Sequence, residues 1–171
     1  MWIITALFVA CLFLAHFVIG MPQALRLHIS EMRRLTPLGH VLFLLVIVGA
    51  LCFARRARRE RRNLSAVFGV LMAVSILAAW ATPTLSRAHD FFASVPFVLL
   101  SVYVPLMLFR SGFVIASVLI LVVPPVCDLV LWLGVRGSSG EIQKTNALIW
   151  LGLLNVVYYK ALPLRKGGDD K

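Results

Sequence analysis

Acidic residues are scarce in this chain: seven Asp and Glu stand against seventeen Lys and Arg among 171 residues, leaving a net charge of +10. Charge of either sign is thin, at 14% of residues, where soluble globular chains hold about 25%. Cysteine is nearly missing. Cys11, Cys52 and Cys127 fall in three different apolar stretches with no C-x-x-C, which excludes a disulfide framework or a zinc ribbon and leaves small buried hydrophobes. No segment alternates apolar and polar residues as a membrane barrel strand does. No HExxH is present, and no two histidines stand four apart, so the usual zinc-binding helix signature is lacking. What fills the sequence instead is apolar: 61% of residues are hydrophobic and mean hydropathy is +0.94. A soluble domain of this length has too little interior to hide so many apolar side chains. The bilayer is the solvent that accepts them.

Six continuous apolar runs cover positions 2–20, 37–54, 64–82, 91–109, 113–134 and 146–162. Each is close to the ~20 residues that cross about 30 Å of hydrocarbon as a helix. Backbone polar groups have no water to bond there, so the runs must be helices. The expected fold is all-α: one domain over 1–162, a bundle of six transmembrane helices, with a polar cytoplasmic tail over 163–171. Only Arg110, Ser111 and Gly112 separate the fourth and fifth runs, which forces a tight antiparallel hairpin. The first run has neither a positive leader nor a small-residue cleavage site behind it, so it reads as a span and not as a removable signal.

Orientation follows from the arginines. After the second run the chain reads RRARRERR, placing Arg55, Arg56, Arg58, Arg59, Arg61 and Arg62 in one short turn. Such a block marks the cytoplasmic side. Both termini are then cytoplasmic in a multi-pass protein of the cell's inner membrane. The remaining cations agree in sign: Arg110, Lys160, Arg165, Lys166 and Lys171 join the six inside, while Arg26, Arg33, Arg34, Arg87, Arg136 and Lys144 fall outside. Trp80 and Trp132 sit at outer helix ends, and Trp2, Tyr158 and Tyr159 at inner ones, as interface aromatics do. The arginine block has two readings. It fixes topology, or it also binds anionic headgroups at about 1 kcal/mol per basic residue near the surface. Nucleic acid is excluded as a partner, because no nucleic-acid fold fits continuous apolar runs.

Polar residues sort by depth. His16, His28, Ser30, Glu31, His40, His89, Asp90, Asp128, Glu141, Lys144 and Asn146 all fall toward the outer ends of the runs. On the cytoplasmic side the arginines are accompanied only by Glu60 and the tail acids. The connection 21–36 carries Leu25, Ile29, Met32 and Leu35 at helical spacing, with Arg26, Ser30, Arg33 and Arg34 on another face. It is either an amphipathic helix in the outer interface or a loop packed over the bundle. Asp128 follows Pro124-Pro125. A carboxylate within a span costs roughly 2.5–3.5 kcal/mol on insertion scales, and a proline-broken helix beside an acid is how transporters build ion sites. The bland alternative pairs Asp128 with Arg136 or Lys144. Asn155, deep in the sixth run, should bond to a neighbouring helix. Imidazoles and carboxylates are zinc ligands or an acid–base pair when they converge, and His16 with His40 are the only candidates for a b-type haem. Neither cofactor is favoured, and no metal site is assigned.

Three landmarks occur in order: HISEM at 28–32, AHDFFASVPF at 88–97 and GEIQK at 140–144. Their order and spacing resemble an uncharacterised family of bacterial six-helix integral membrane proteins, in which an iSeLG motif follows the first helix, an HD pair starts the fourth and a GxxQR precedes the last. Ile29, Ser30, Glu31, His89, Asp90, Gly140, Gln143 and Lys144 take the matching positions. Met32 and Arg33 replace the Leu-Gly, and Lys144 replaces the Arg. The resemblance carries no reaction. It implies that Ser30, Glu31, His89, Asp90, Gln143 and Lys144 share one outer cluster.

The candidate site is therefore His28, Ser30, Glu31, His89, Asp90, Asp128, Gln143 and Lys144. The expected function is that of a non-enzymatic or accessory membrane protein whose extracytoplasmic polar site binds a lipid headgroup, a small ligand or a partner subunit. Two alternatives stand beside it: an intramembrane lipid hydrolase or transferase using the outer His, Asp and Glu, and a structural subunit of a larger membrane complex.

Overall fold

The computed structural model describes residues 1–84, 86–120, 122 and 139–161. Among them every regular element is helical, with no strand. The elements are α1 (Trp2–Ile19), α2 (Met21–Arg26), α3 (Ile29–Leu35), α4 (Pro37–Arg59), α5 (Asn63–Ala81), α6 (Arg87–Arg110) and α7 (Ser139–Val156), the last continuing as a π-helical turn, Val157–Ala161. Helices α1, α4, α5 and α6 are each long and apolar enough to cross a membrane. Less than half of each apolar window is buried inside the chain. Phe13, Phe17, Leu64, Val74, Val98 and Val102 point outward, a surface that water would penalise and lipid would not.

Positions 114–120 and 122 of the fifth run are helical, and the rest of that run lies outside the described residues. The sixth run begins earlier than its apolar residues do, because α7 takes in the polar stretch from Ser139. That polar opening keeps α7 from matching the four long apolar helices in composition.

The helices form a ring. Helix α4 packs on α1 and α5, α5 on α6, and α7 closes the circle against α6 and α1. Two glycines permit its tightest contacts. A Cβ on Gly69 would stand 2.8 Å from the Ala54 Cβ and 2.9 Å from the Ala50 carbonyl oxygen, so α4 and α5 approach through small residues, as membrane helices commonly do. A Cβ on Gly39 would stand 2.3 Å from the Arg33 backbone, which lets α3 fold directly onto the start of α4.

The expected hairpin after α6 is present. Gly112 takes a positive φ of 84°, the Phe113 N–H returns to the Leu108 carbonyl at 2.9 Å, and the helix resumes. Ser117 then donates its hydroxyl to the Pro105 carbonyl at 2.8 Å across the hairpin. At the arginine end an aromatic plug fills the ring: Phe68 stacks on Tyr103 with centroids 3.8 Å apart, and Phe53 meets both edge-on. Asn155 bonds across the bundle, its amide donating to Thr5 Oγ1 at 2.7 Å.

Candidate functional site

At the end of the ring opposite the arginine turn, the connection 21–36 is two short helices, not one. Leu27 and His28 are extended, and the chain restarts with a reciprocal cap. The Glu31 carboxylate accepts the His28 N–H at 2.7 Å, while the His28 ring accepts the Glu31 N–H. This is the logic of a capping box with histidine in the place of Ser or Thr. Of the apolar face expected for this connection, Met32 is fully buried while Leu35 is exposed, and Ser30 from the polar face is buried. The segment thus packs over the bundle. The break at Leu27–His28 resets the helical phase that a single amphipathic helix would have kept.

Two basic side chains pin this segment. Arg33 donates to the Trp80 carbonyl, to the Thr82 carbonyl at 2.6 Å and to Thr84 Oγ1 at 3.2 Å. It thereby caps the C-terminus of α5, where free carbonyls and the helix dipole favour a cation. Lys144 donates to the Ala24 carbonyl in the last turn of α2 and is only 4% exposed. Its burial holds the ammonium below the ordinary lysine range, against the opposing pull of Glu141 and then Glu31. Between them Gln143 reaches over and accepts the Ile29 N–H at 2.9 Å. The structure therefore brings together His28, Ser30, Glu31, Gln143 and Lys144, from α3 and the first turns of α7.

The HD pair divides. His89 faces inward, 3% exposed, with Nδ1 at 2.7 Å from the Ala79 carbonyl and 3.5 Å from Thr82 Oγ1. Nδ1 therefore carries the proton, and the buried Nε2 has no partner among the described residues. Asp90 is exposed in the first turn of α6, where a carboxylate complements the helix dipole. The cap of α6 is Ser86, whose hydroxyl accepts the His89 N–H at 3.1 Å. Asp128 lies outside the described residues. His16 bonds the Leu12 carbonyl of its own helix at 2.7 Å, and His40 accepts the Trp80 indole N–H at 2.9 Å. Among the described residues no group of three or more His, Cys, Asp or Glu side chains converges as a metal site would require.

Beneath the Ser30–Gln143 layer lies a cavity of about 120 Å³. All five helices of the ring contribute to its wall, through residues such as Phe8, Leu42, Met72, Phe97 and Trp150. Its polar lining is confined to Ser30 and Gln143. The size resembles engineered apolar cavities of about 150 Å³ that stay dry and take a small aromatic molecule. Sequence reasoning missed this cavity and the role of Arg33. The first has no linear signal. The second had one, since Arg33 stands in the last turn of a short helix that must turn at once into Pro37.

No family model, curated protein or solved structure matches this chain.

Proposed function

We propose that the protein is a six-span inner-membrane binding protein, non-enzymatic, that seats the apolar portion of an amphiphile in the ring cavity with its polar end at Ser30 and Gln143. The observation that supports this is the cavity's composition: apolar on all five helices and polar at one end only. Lipid tails are as apolar as leucine, so a ligand gains little hydrophobic energy by leaving the bilayer for such a cavity. The gain is contact. At about 24 cal/mol per Å³ of void, filling 120 Å³ recovers roughly 3 kcal/mol. Selectivity then rests on the polar end, where the Ser30 hydroxyl and the Gln143 amide offer hydrogen bonds. His28 and Glu31 cap each other's backbone, which suits a binding wall better than an acid–base pair. The orientation that goes with this reading puts α3 on the extracytoplasmic face and both termini in the cytoplasm, in the layout of the six-helix family the landmarks resemble.

Lipid extraction from purified protein, followed by mass spectrometry of retained amphiphiles, tests the reading with Ala147→Leu as the control. Ala147 lines the cavity. The wild type should retain a stoichiometric amphiphile that Ala147→Leu loses while remaining folded. Equal retention by both proteins would defeat the proposal.

A further inference from the structure

The six arginines of the RRARRERR turn are not equivalent in the fold. Arg56 turns toward the π-helical segment, its guanidinium 4.2 Å from the centroid of the Tyr158 ring and 5.6 Å from that of Tyr159. Arg55 and Arg58 instead edge an open groove of about 550 Å³ between α4 and α5, which begins at Asn63 and runs along Val67, Val70 and Leu71. Arg59, Arg61 and Arg62 do not line it. The groove exists because small residues, Ala54 and Ala66, floor it beside the close α4–α5 crossing at Gly69.

The groove is amphipathic in its lining. Arg55 and Arg58, both exposed, edge it from α4, and Asn63 stands at the start of its α5 side. Val67, Val70 and Leu71 are apolar and about half exposed, on a helix composed to cross a membrane. At 1.5 Å per residue, Leu71 lies about 12 Å along α5 from Asn63, room for part of an acyl chain. Arg55 and Arg58 stand three apart on one helix face, where like charges repel. The turn holds six arginines and one acid, Glu60, so that repulsion is not neutralised from within the turn. A phosphodiester between the two guanidiniums removes it and accepts hydrogen bonds from both planar forks.

We infer that the α4–α5 groove is a seat for one anionic phospholipid, its phosphate held by Arg55 and Arg58 and an acyl chain lying along Val67, Val70 and Leu71. The seat lies at the opposite end of α4 from the ring cavity's polar lid and stands or falls independently of the cavity's ligand. Charge complementarity selects an anionic headgroup, and the apolar arm selects a lipid over a soluble phosphate. The arginine block then does more than orient the chain: two of its members recognise a molecule, and the others meet the membrane's general surface potential.

The test is native mass spectrometry and lipid titration of the full chain in nanodiscs of phosphatidylcholine with increasing phosphatidylglycerol. Two double variants remove the same charge: Arg55→Gln/Arg58→Gln within the groove and Arg59→Gln/Arg62→Gln outside it. Loss of general surface attraction, at about 1 kcal/mol for each basic residue, weakens phosphatidylglycerol retention by up to about thirty-fold for either pair; the groove pair also loses its charge-assisted hydrogen bonds to the phosphate and should weaken retention about tenfold more than the outer pair. Val70→Trp obstructs the apolar arm with the charge unchanged, so it leaves the topology signal intact and should also weaken retention. Equal losses from the two arginine pairs would overturn the seat in favour of diffuse attraction. Competition by soluble glycerophosphate would overturn it in favour of a free-anion site. Unchanged binding by Val70→Trp, or occupation of the groove by a second copy of the chain, would overturn it as well.

Discussion

The Gln143 side chain accepts the Ile29 backbone N–H at 2.9 Å, joining positions 114 apart in the sequence. That bond closes the ring, because it fastens the start of α3, which is folded onto α4, to the first turns of α7. It also forms part of the polar lid over the cavity, since Ser30 and Gln143 both line it. Gln143→Leu should therefore leave the Ile29 N–H without its acceptor, a cost of about 1–3 kcal/mol. Thermal unfolding in detergent should show a lowered midpoint. A midpoint equal to wild type would mean that water or lipid takes over the donor without cost.

Lys144 gives the fold a pH signature. Burial lowers its pKa from the ordinary 10.5, so the folded chain releases this proton before the unfolded chain does. Between the folded value and 10.5 the unfolded state binds more protons, and stability gains with rising pH there. Below the folded value both states are charged and the contribution is flat. The stability of wild type relative to Lys144→Met should accordingly rise with pH in the alkaline window just below 10.5. Parallel stability curves for the two proteins would show that the ammonium is as well solvated folded as unfolded.

The HD landmark separates into two unlike residues. His89 is buried on the Ala79 carbonyl, and Asp90 is exposed. His89→Ala strips a buried carbonyl of its donor and should cost about 1–3 kcal/mol. Asp90→Ala removes only a favourable charge at a helix start, about 0.3–1 kcal/mol. Chemical or thermal denaturation of the pair of variants distinguishes them. A larger loss from Asp90→Ala would revive the expectation of one converged charge cluster.

The residues at which sequence reading succeeded and failed differ in a physical way. Four helices long and apolar enough to cross a membrane were legible because length and apolar content alone decide them. The hairpin at Arg110, Ser111 and Gly112 was legible because three residues between two long helices leave one geometry. Asn155 was legible because an amide deep in an apolar run must find a partner, and it finds Thr5. Depth along the runs placed Glu31 and Lys144 toward one end, and Gln143 entered only through the resemblance of GEIQK to a GxxQR landmark. The cavity was not, because α1, α5 and α6 are apolar nearly all round. A helix without a polar stripe gives no sign of which face turns inward. The role of His28 was also hidden: a histidine three residues before Glu31 reads as a site residue, and only the backbone geometry shows it capping α3.

Arg61 offers a test of the turn that carries the arginine block. It has a φ of 54°, and among the described residues no other side-chain-bearing position is in the left-handed region. The surrounding bonds explain the need. The Arg62 N–H reaches back to the Ala57 carbonyl at 2.9 Å, and the Arg61 N–H to the Arg58 carbonyl at 3.0 Å. With Glu60 as the C-cap of α4, these are the two bonds of a Schellman motif, whose left-handed position is usually glycine. A side chain there costs roughly 1–2 kcal/mol from Cβ crowding, part of which glycine returns through its freer unfolded chain. Arg61→Gly should thus raise stability by about 0.5–1 kcal/mol, visible as a higher unfolding midpoint in detergent. Arg61 does not line the α4–α5 groove, so phosphatidylglycerol retention should stay within about fivefold of wild type, the general contribution of one basic residue, while the midpoint rises. A fall in stability would mean that the Arg61 side chain contributes more than its backbone strain removes, and would assign this arginine a contact of its own at the membrane surface.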